Sequence, residues 1–186
     1  MEQLREVGPA NPAPSLRPPR DGVQVEQVDL RELAEVLQGR EAEGVSNPPG
    51  LRSQLRPYQA AGVAWLWSRY LVRVGALLAD DMGLGKTIQV LALLSVLKKK
   101  RGGKPSLLVL PASLVANWKS EMDRFTPTLR AKFVHPSEAP KDKLARMAAD
   151  PEEALKDADV VLTTYGMLLR QPWLLDVAWR LVVLDE

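Results

Sequence analysis

The sequence contains no cysteine and a single histidine, so disulfides, structural zinc sites and histidine-based metal sites are excluded for lack of ligands. A magnesium site built from hydroxyl and carboxylate oxygens is compatible with this composition. No apolar run reaches the roughly 18 residues that a membrane-spanning helix needs. The N-terminus is rich in proline and charge where a signal peptide would be apolar. These absences argue against a membrane protein and favour a reducing cytoplasm.

The sequence also lacks a large excess of either charge, because 25 basic and 23 acidic residues leave a net charge of +2. Such a small net charge does not attract nucleic acid by itself, so any contact with DNA or RNA would need a local patch. The 46% hydrophobic and 26% charged residues are typical of a globular protein. A length of 186 residues suits one domain with a substantial core.

The first 50 residues differ from the rest in composition. Five prolines between Gly8 and Arg20 predict a disordered lead-in over residues 1–22. Asp29 and Glu32 resemble a capping box before apolar residues at helical spacing, and Pro48 and its neighbours then break the pattern. We therefore expect a short helix and linker over 23–50, and the main domain over 51–186.

Within the main domain, short apolar runs alternate with helical patterns. The patterns predict strands at 75–79, 106–110, 131–134, 160–163 and 181–184, and helices at 57–72, 87–97, 114–125 and 141–149. Alternating strands and helices favour a mostly parallel sheet with right-handed crossovers. Continuously apolar strands indicate that helices cover both faces of the sheet. The predicted fold class is therefore α/β, a three-layer sandwich.

A glycine-rich turn joins the predicted strand at 75–79 to the next helix. Gly83 and Gly85 lack a Cβ, so the backbone can turn tightly and point N–H groups at phosphate oxygens, beside the positive end of the helix. Lys86 would reach the β- and γ-phosphates of a nucleotide, and Thr87 would offer its hydroxyl to Mg²⁺. The strict phosphate-loop pattern has glycine where this chain has Asp80, so the match is to a relaxed form. The alternative is an ordinary glycine-rich turn.

The sequence ends in an apolar strand followed by Asp185 and Glu186. Carboxylates at the C-terminal end of a parallel strand would face the glycine loop across the ligand-binding edge of the sheet. Asp185 would then hold magnesium, directly or through water, and Glu186 would orient or deprotonate an attacking water. Two acids after an apolar run are also common in solvated loops, so this interpretation depends on the glycine loop upstream.

Five segments occur in one order along the chain: LRPYQ at 55–59, DDMGLGKT at 80–87, LVLPASLVANW at 108–118, LTTY at 162–165 and LDE at 184–186. By these motifs the chain resembles the Swi/Snf-like DNA-dependent ATPases of helicase superfamily two, and their bacterial branch in particular. The resemblance implies a RecA-like lobe that binds ATP and Mg²⁺ within a motor that moves along duplex DNA. A nucleoprotein or RNA polymerase would be its target, and its location would be cytoplasmic, at most associated with the nucleoid.

The resemblance also implies roles for individual residues. Arg56, Tyr58 and Gln59 would recognise adenine, with the Gln59 amide pairing with the base. A helix N-terminus with a buried tyrosine is the alternative for this segment. The phosphate cradle would comprise Asp81, Met82, Gly83, Leu84, Gly85, Lys86 and Thr87. Lys86, Asp185 and Glu186 would be catalytic, and Thr87 and Asp185 would bind the metal.

Two further motifs imply contact with a nucleic-acid strand through its phosphates. Their residues are Pro111, Ala112, Ser113, Asn117, Thr163, Thr164 and Tyr165. A plain loop capped by Ser113, and the end of an ordinary strand, are the alternatives. We expect Trp118, Met122 and Phe125 to belong to the core.

The family's motor has two RecA-like lobes, and an arginine from the second lobe reaches the γ-phosphate. This sequence stops at the acidic motif, so the resemblance implies a truncated first lobe without its second. Because such an arginine raises the rate by about 10³–10⁵-fold, we expect this segment alone to hydrolyse ATP negligibly. The alternative is a non-catalytic module from a truncated gene that binds nucleotide or a partner.

Overall fold

The structure is a computed structural model that describes residues 45, 47–101 and 103–185. The predicted lead-in at 1–22, the short helix that follows it and Glu186 lie outside the described residues. In chain order the helices are α1 Pro57–Leu71, α2 Lys86–Arg101, α3 Val115–Phe125, α4 Lys141–Ala149, α5 Pro151–Leu155 and α6 Tyr165–Arg170. Two 3₁₀ turns occupy Ala112–Leu114 and Pro172–Leu175.

In the described part of the chain, four parallel strands form one sheet in the order β2-β3-β1-β4. Their bounds are β1 Ser106–Leu110, β2 Ala131–Val134, β3 Val160–Thr164 and β4 Val182–Leu184. In the central register, Leu108 of β1 lies between Leu162 of β3 and Val183 of β4. The predicted α/β class with a parallel sheet is confirmed.

Helices cover both faces of the sheet. Leu108 and Leu110 pack with α1, α2 and α3 in one apolar cluster, whereas Leu107 and Val109 pack with α4 and α6 in the other. Every residue of β1 is buried because successive side chains alternate between these two clusters. This arrangement gives the three layers that the continuously apolar strands predict.

Helices α1 and α2 pack against each other and place the glycine loop. Pro57 begins α1, where a missing N–H costs nothing, and Gln59 Oε1 accepts a hydrogen bond from the backbone N–H of Arg56 at 2.9 Å. The apolar residues of α2 from Leu91 to Leu97 are almost all buried, as their all-round hydrophobicity predicts. None of the helices in the described part of the chain is long and apolar enough to cross a membrane.

The predicted strand at 75–79 is wrong. These residues have no regular secondary structure, and Leu77 is 83% exposed. The segment follows Arg73, whose φ of 58° turns the chain out of α1. Its residues are glycine, alanine and leucine, none of which is β-branched, so little intrinsic preference favours pairing with the neighbouring edge of the sheet.

Candidate functional site

The glycine loop adopts the backbone conformation that only glycine reaches easily. Gly83 and Gly85 both have a φ of +82°, and helix α2 begins at the next residue, Lys86. No acidic residue occupies the first turn of α2, so the positive end of its dipole is not neutralised there. The loop therefore has the geometry of an anion-binding turn before a helix N-terminus.

Lys86 folds back over its own loop. Its Nζ donates hydrogen bonds to the carbonyl oxygens of Asp80 at 2.7 Å and Asp81 at 3.3 Å. Carbonyl oxygens carry partial charge only, so an ionised phosphate oxygen would make a stronger bond to the same ammonium group. The lysine is thus held at the loop by contacts that a phosphate can replace.

Asp80 stands where the strict phosphate-loop pattern has glycine, and its side chain has a hydrogen-bonding partner in helix α2. Gln89, fully buried in α2, donates from Nε2 to Asp80 Oδ2 at 2.9 Å and to the carbonyl of Gly85 at 3.4 Å. The two bonds join the start of the loop to its end. A glycine at position 80 would leave the buried amide of Gln89 without its carboxylate partner.

The predicted adenine-recognition residues contact the same loop. Gln59 Nε2 and the Tyr58 hydroxyl both donate to the carbonyl of Leu84, at 3.1 and 3.2 Å. Gln59 is buried, whereas Arg56 and Tyr58 are exposed beside the loop. The structure thus brings this motif and the glycine loop together, and adenine recognition stays a prediction.

Asp185 is fixed by three contacts. Its Oδ2 accepts a hydrogen bond from the indole N–H of Trp118 at 2.7 Å. Its backbone N–H donates to Val109 O at 2.9 Å, and its backbone carbonyl accepts from the Tyr165 hydroxyl at 3.3 Å. The side chain is therefore oriented by a buried residue of helix α3, while its backbone continues the pairing of β4 with β1.

Glu121 of helix α3 lines the same cleft as Thr87. Burial raises the pKa of the Glu121 carboxyl above its ordinary value, and the nearby Thr87 hydroxyl and the charge of Arg124 oppose that rise.

One open cleft of about 550 Å³ unites these groups. The predicted site residues that line it are Arg56, Gln59, Met82, Gly83, Gly85, Lys86, Thr87, Asn117 and Asp185. Hydroxyl and carboxylate oxygens are the ligands that Mg²⁺ prefers, and it completes its shell with water and substrate phosphates. Thr87 and Asp185, which line this cleft together, fit that requirement.

The structure separates the predicted nucleic-acid residues into two groups. Ala112, Ser113 and Asn117 are exposed and Pro111 is half-buried, all at the N-terminal end of α3. The N-cap of α3 is Leu114, and no side chain caps it, so the alternative of a loop capped by Ser113 is wrong.

In the second group only the aromatic ring is accessible. The Thr163 hydroxyl is buried and donates to Val134 O at 3.1 Å. The Thr164 side chain accepts from the backbone N–H of Met167 and caps α6. Tyr165 is 40% exposed. In this conformation Tyr165 alone of the three offers its side chain to a partner, and strand contact stays a prediction.

Sequence reasoning missed three residues of the site. Trp118 is buried at 4% exposure, as expected for a core residue, but its N–H also holds Asp185. Glu121 and Gln89 were not singled out, although both are polar residues within helical patterns that are otherwise apolar or amphipathic. Their position three or four residues from a predicted site residue on the same helix is the available signal.

A family model described as the SNF2-related domain matches residues 58–186. DNA excision repair protein CSB of rice is 33% identical over 172 residues, which are 77% of this chain and 14% of that protein. YwqA of Bacillus subtilis, named as a candidate ATP-dependent helicase/translocase, is 39% identical over 140 residues, 74% of this chain and 14% of its own length. The chain therefore spans about one seventh of these relatives.

A solved structure, the Sulfolobus solfataricus SWI2/SNF2 ATPase core in complex with dsDNA, is also similar. Its TM-score is 0.66 at 38% sequence identity, over 75% of this chain and 27% of that chain. A second structure, described as the Sulfolobus solfataricus SWI2/SNF2 ATPase core domain, has a TM-score of 0.63 at 37% sequence identity. The similarity covers the RecA-like α/β architecture described above.

Proposed function

The chain belongs to the SNF2-related family, and we propose that it is the ATP-binding portion of a DNA-dependent ATPase that moves along duplex DNA and remodels nucleoprotein. The observation that carries this proposal is the cleft in which the glycine loop, Lys86, Thr87 and Asp185 meet. The phosphate-binding turn, which includes Thr87, and the second predicted metal ligand, Asp185, reach that cleft from separate parts of the sequence.

In this function each residue has a distinct task. The N–H groups of the glycine loop and the ammonium group of Lys86 bind the β- and γ-phosphates. Thr87 and Asp185 would hold Mg²⁺, which when bound would supply positive charge beside the phosphates. Glu186, which lies outside the described residues, orients or deprotonates the attacking water. Gln59 and Tyr58 position the adenine end beside the loop they already contact.

We propose that duplex DNA is the nucleic acid along which the ATPase moves. The support is the printed description of the Sulfolobus core, which is in complex with dsDNA, and the exposed residues at the start of α3. Ser113 and Asn117 offer short polar groups there, which suits contact with phosphates and not with particular bases. Tyr165 adds an exposed aromatic side chain near Asp185.

We also propose that the chain alone turns over ATP slowly. It covers 27% of the Sulfolobus core chain. The arginine that the family supplies from its second lobe is worth about 10³–10⁵-fold in rate. The chain alone should therefore bind nucleotide far better than it hydrolyses it.

The test is steady-state ATP turnover, with and without duplex DNA, by a protein in which this chain continues into a second lobe, compared with its Lys86→Ala variant. Strong stimulation by duplex DNA that disappears in the variant supports the proposal. Turnover that is indifferent to DNA argues for a protein- or RNA-directed ATPase. Absence of turnover, with nucleotide binding retained, favours a non-catalytic module.

A further inference from the structure

Helix α3 supplies a hydrogen-bonding partner to one of the predicted magnesium ligands, Asp185. We propose that Trp118 is a positioning residue that orients Asp185 for the metal. This inference rests on the proposed function, because it needs Mg²⁺ to accompany the nucleotide. It assigns to one helix face a task that neither the glycine loop nor strand β4 performs alone.

The bond between Trp118 and Asp185 fixes one carboxylate oxygen. An indole N–H can only donate a hydrogen bond, and that of Trp118 donates to Asp185 Oδ2 at 2.7 Å. Trp118 is buried, and its ring packs in the apolar cluster between α3 and the sheet. A rigid donor on Oδ2 leaves Oδ1 as the oxygen that a metal can take.

Ligands of bound metals commonly have such hydrogen-bonding partners, which set their orientation.

Trp118 reaches the cleft from a helix of eleven residues. Val115 and Met122 anchor the helix in the core. The same helix begins beside Ser113 and includes Asn117, the exposed residues proposed to contact DNA.

The experiment measures the affinity of a fluorescent, non-hydrolysable ATP analogue for the 186-residue chain, in Mg²⁺ and in EDTA. The readout is the gain in affinity that Mg²⁺ provides. Trp118→Phe removes the N–H and keeps an aromatic ring. It should lower the magnesium gain about tenfold, as expected for a lost partner of a metal ligand, and leave the affinity in EDTA unchanged.

Matched controls separate positioning from general damage. Trp179→Phe removes an indole N–H that donates to Leu174 O at 2.8 Å, away from the cleft. Asp123→Ala removes an exposed acid from α3 itself. Both controls should keep the wild-type magnesium gain.

A double variant tests whether Trp118 acts through Asp185. In an Asp185→Asn background, Trp118→Phe should have no further effect on the magnesium gain. The proposal is overturned if folded Trp118→Phe keeps the wild-type gain, or if affinities in Mg²⁺ and EDTA fall together. If Trp118→Phe does not fold, Trp118→Met, which also has no side-chain donor, decides by the same criteria. Failure of the wild-type chain to bind the analogue would instead refute the proposed function.

Discussion

Gln59 lies so close to Gly85 that a Cβ on the glycine would stand 2.5 Å from Gln59 Nε2. The same nitrogen donates to the carbonyl of Leu84, and the other end of the amide accepts from Arg56 N. Helix α1 and the glycine loop are therefore tightly packed against each other at this contact. The glycine at position 85 is required both by its backbone angle and by this neighbour.

Gly85→Ala should weaken nucleotide binding and destabilise the fold. A left-handed φ of +82° costs an alanine about 1–2 kcal/mol, and the Cβ must also displace Gln59. We expect a loss of roughly 2–4 kcal/mol in the free energy of unfolding, measured by urea denaturation.

Two glycines serve as controls for that variant. Gly83→Ala has the same φ of +82° but meets nothing within 4 Å, so it should show the backbone cost alone. Gly166→Ala lies in α6 with open space and no positive φ, and alanine there should be neutral or slightly stabilising. Equal losses for Gly83→Ala and Gly85→Ala would show that the contact with Gln59 is unimportant.

Gln59→Ala should reduce discrimination between ATP and GTP. If the amide pairs with adenine, its loss removes one or two hydrogen bonds worth about 0.5–1.5 kcal/mol each, and the affinity ratio should fall several-fold. Competition binding of the two nucleotides measures this ratio. Gln54→Ala, an exposed residue of the same cleft, should preserve it. Equal weakening of both nucleotides would show that Gln59 serves only to hold the loop.

Asp159 gives the fold a component of stability that depends on pH. Burial alone would raise the pKa of its carboxyl, but hydrogen bonds from Arg130 and Lys98 outweigh that effect and hold the pKa below its ordinary value. A depressed pKa contributes stability above the unfolded-state value of about 3.9, and that contribution is lost as pH falls through the folded-state value.

Asp159→Asn should therefore destabilise the chain at neutral pH by about 1–3 kcal/mol. The difference from wild type should shrink as pH falls below about 4. Urea unfolding at a series of pH values measures both effects. Asp157→Asn is the matched control, because Asp157 pairs with the same arginine but is 74% exposed. A difference that stays constant down to low pH would contradict the assignment.

Asn117→Ala should weaken binding to duplex DNA several-fold, since Asn117 is exposed at the proposed contact surface at the start of α3. Fluorescence anisotropy with a labelled duplex at fixed salt measures the affinity. Lys141→Ala is the control, because Lys141 begins α4, which packs on the opposite face of the sheet. If the lysine variant loses more affinity than the asparagine variant, the DNA surface lies elsewhere.

The sequence predicts the sheet well where its strands are buried on both faces. The bounds of β1 are as expected, and β3 extends one residue further, because continuous apolar runs leave little ambiguity. The bounds of β2 are also as expected, although it contains Lys132 and is mostly half-buried. The predicted strand at 75–79 fails because a short run of alanine and leucine has weak β-preference and no partner on the edge of β4. Helices α5 and α6 were not predicted, since five or six residues give too little periodicity.

The site shows a similar division. The glycine loop can be found in sequence because its spacing is local, and Asp185 can be found because it follows an apolar strand downstream of that loop. The contact of Trp118 with Asp185 cannot be found that way, since 67 residues separate the two and nothing local marks a core tryptophan as a hydrogen-bond donor to a carboxylate. Such pairings follow from strand order, which brings β4 beside β1 and hence beside α3.

The central claim is that the glycine loop and Lys86 bind the phosphates of ATP, and calorimetric titration of the 186-residue chain with MgATP tests it most directly. We predict saturable binding by wild type, and about 10–100-fold weaker binding by Lys86→Ala, because one or two charge-assisted hydrogen bonds are lost. Lys104→Ala, which removes an exposed lysine outside the cleft, should bind as wild type does. Equal affinity for ATP in wild type and Lys86→Ala, or no binding by the folded wild-type chain, would contradict the account.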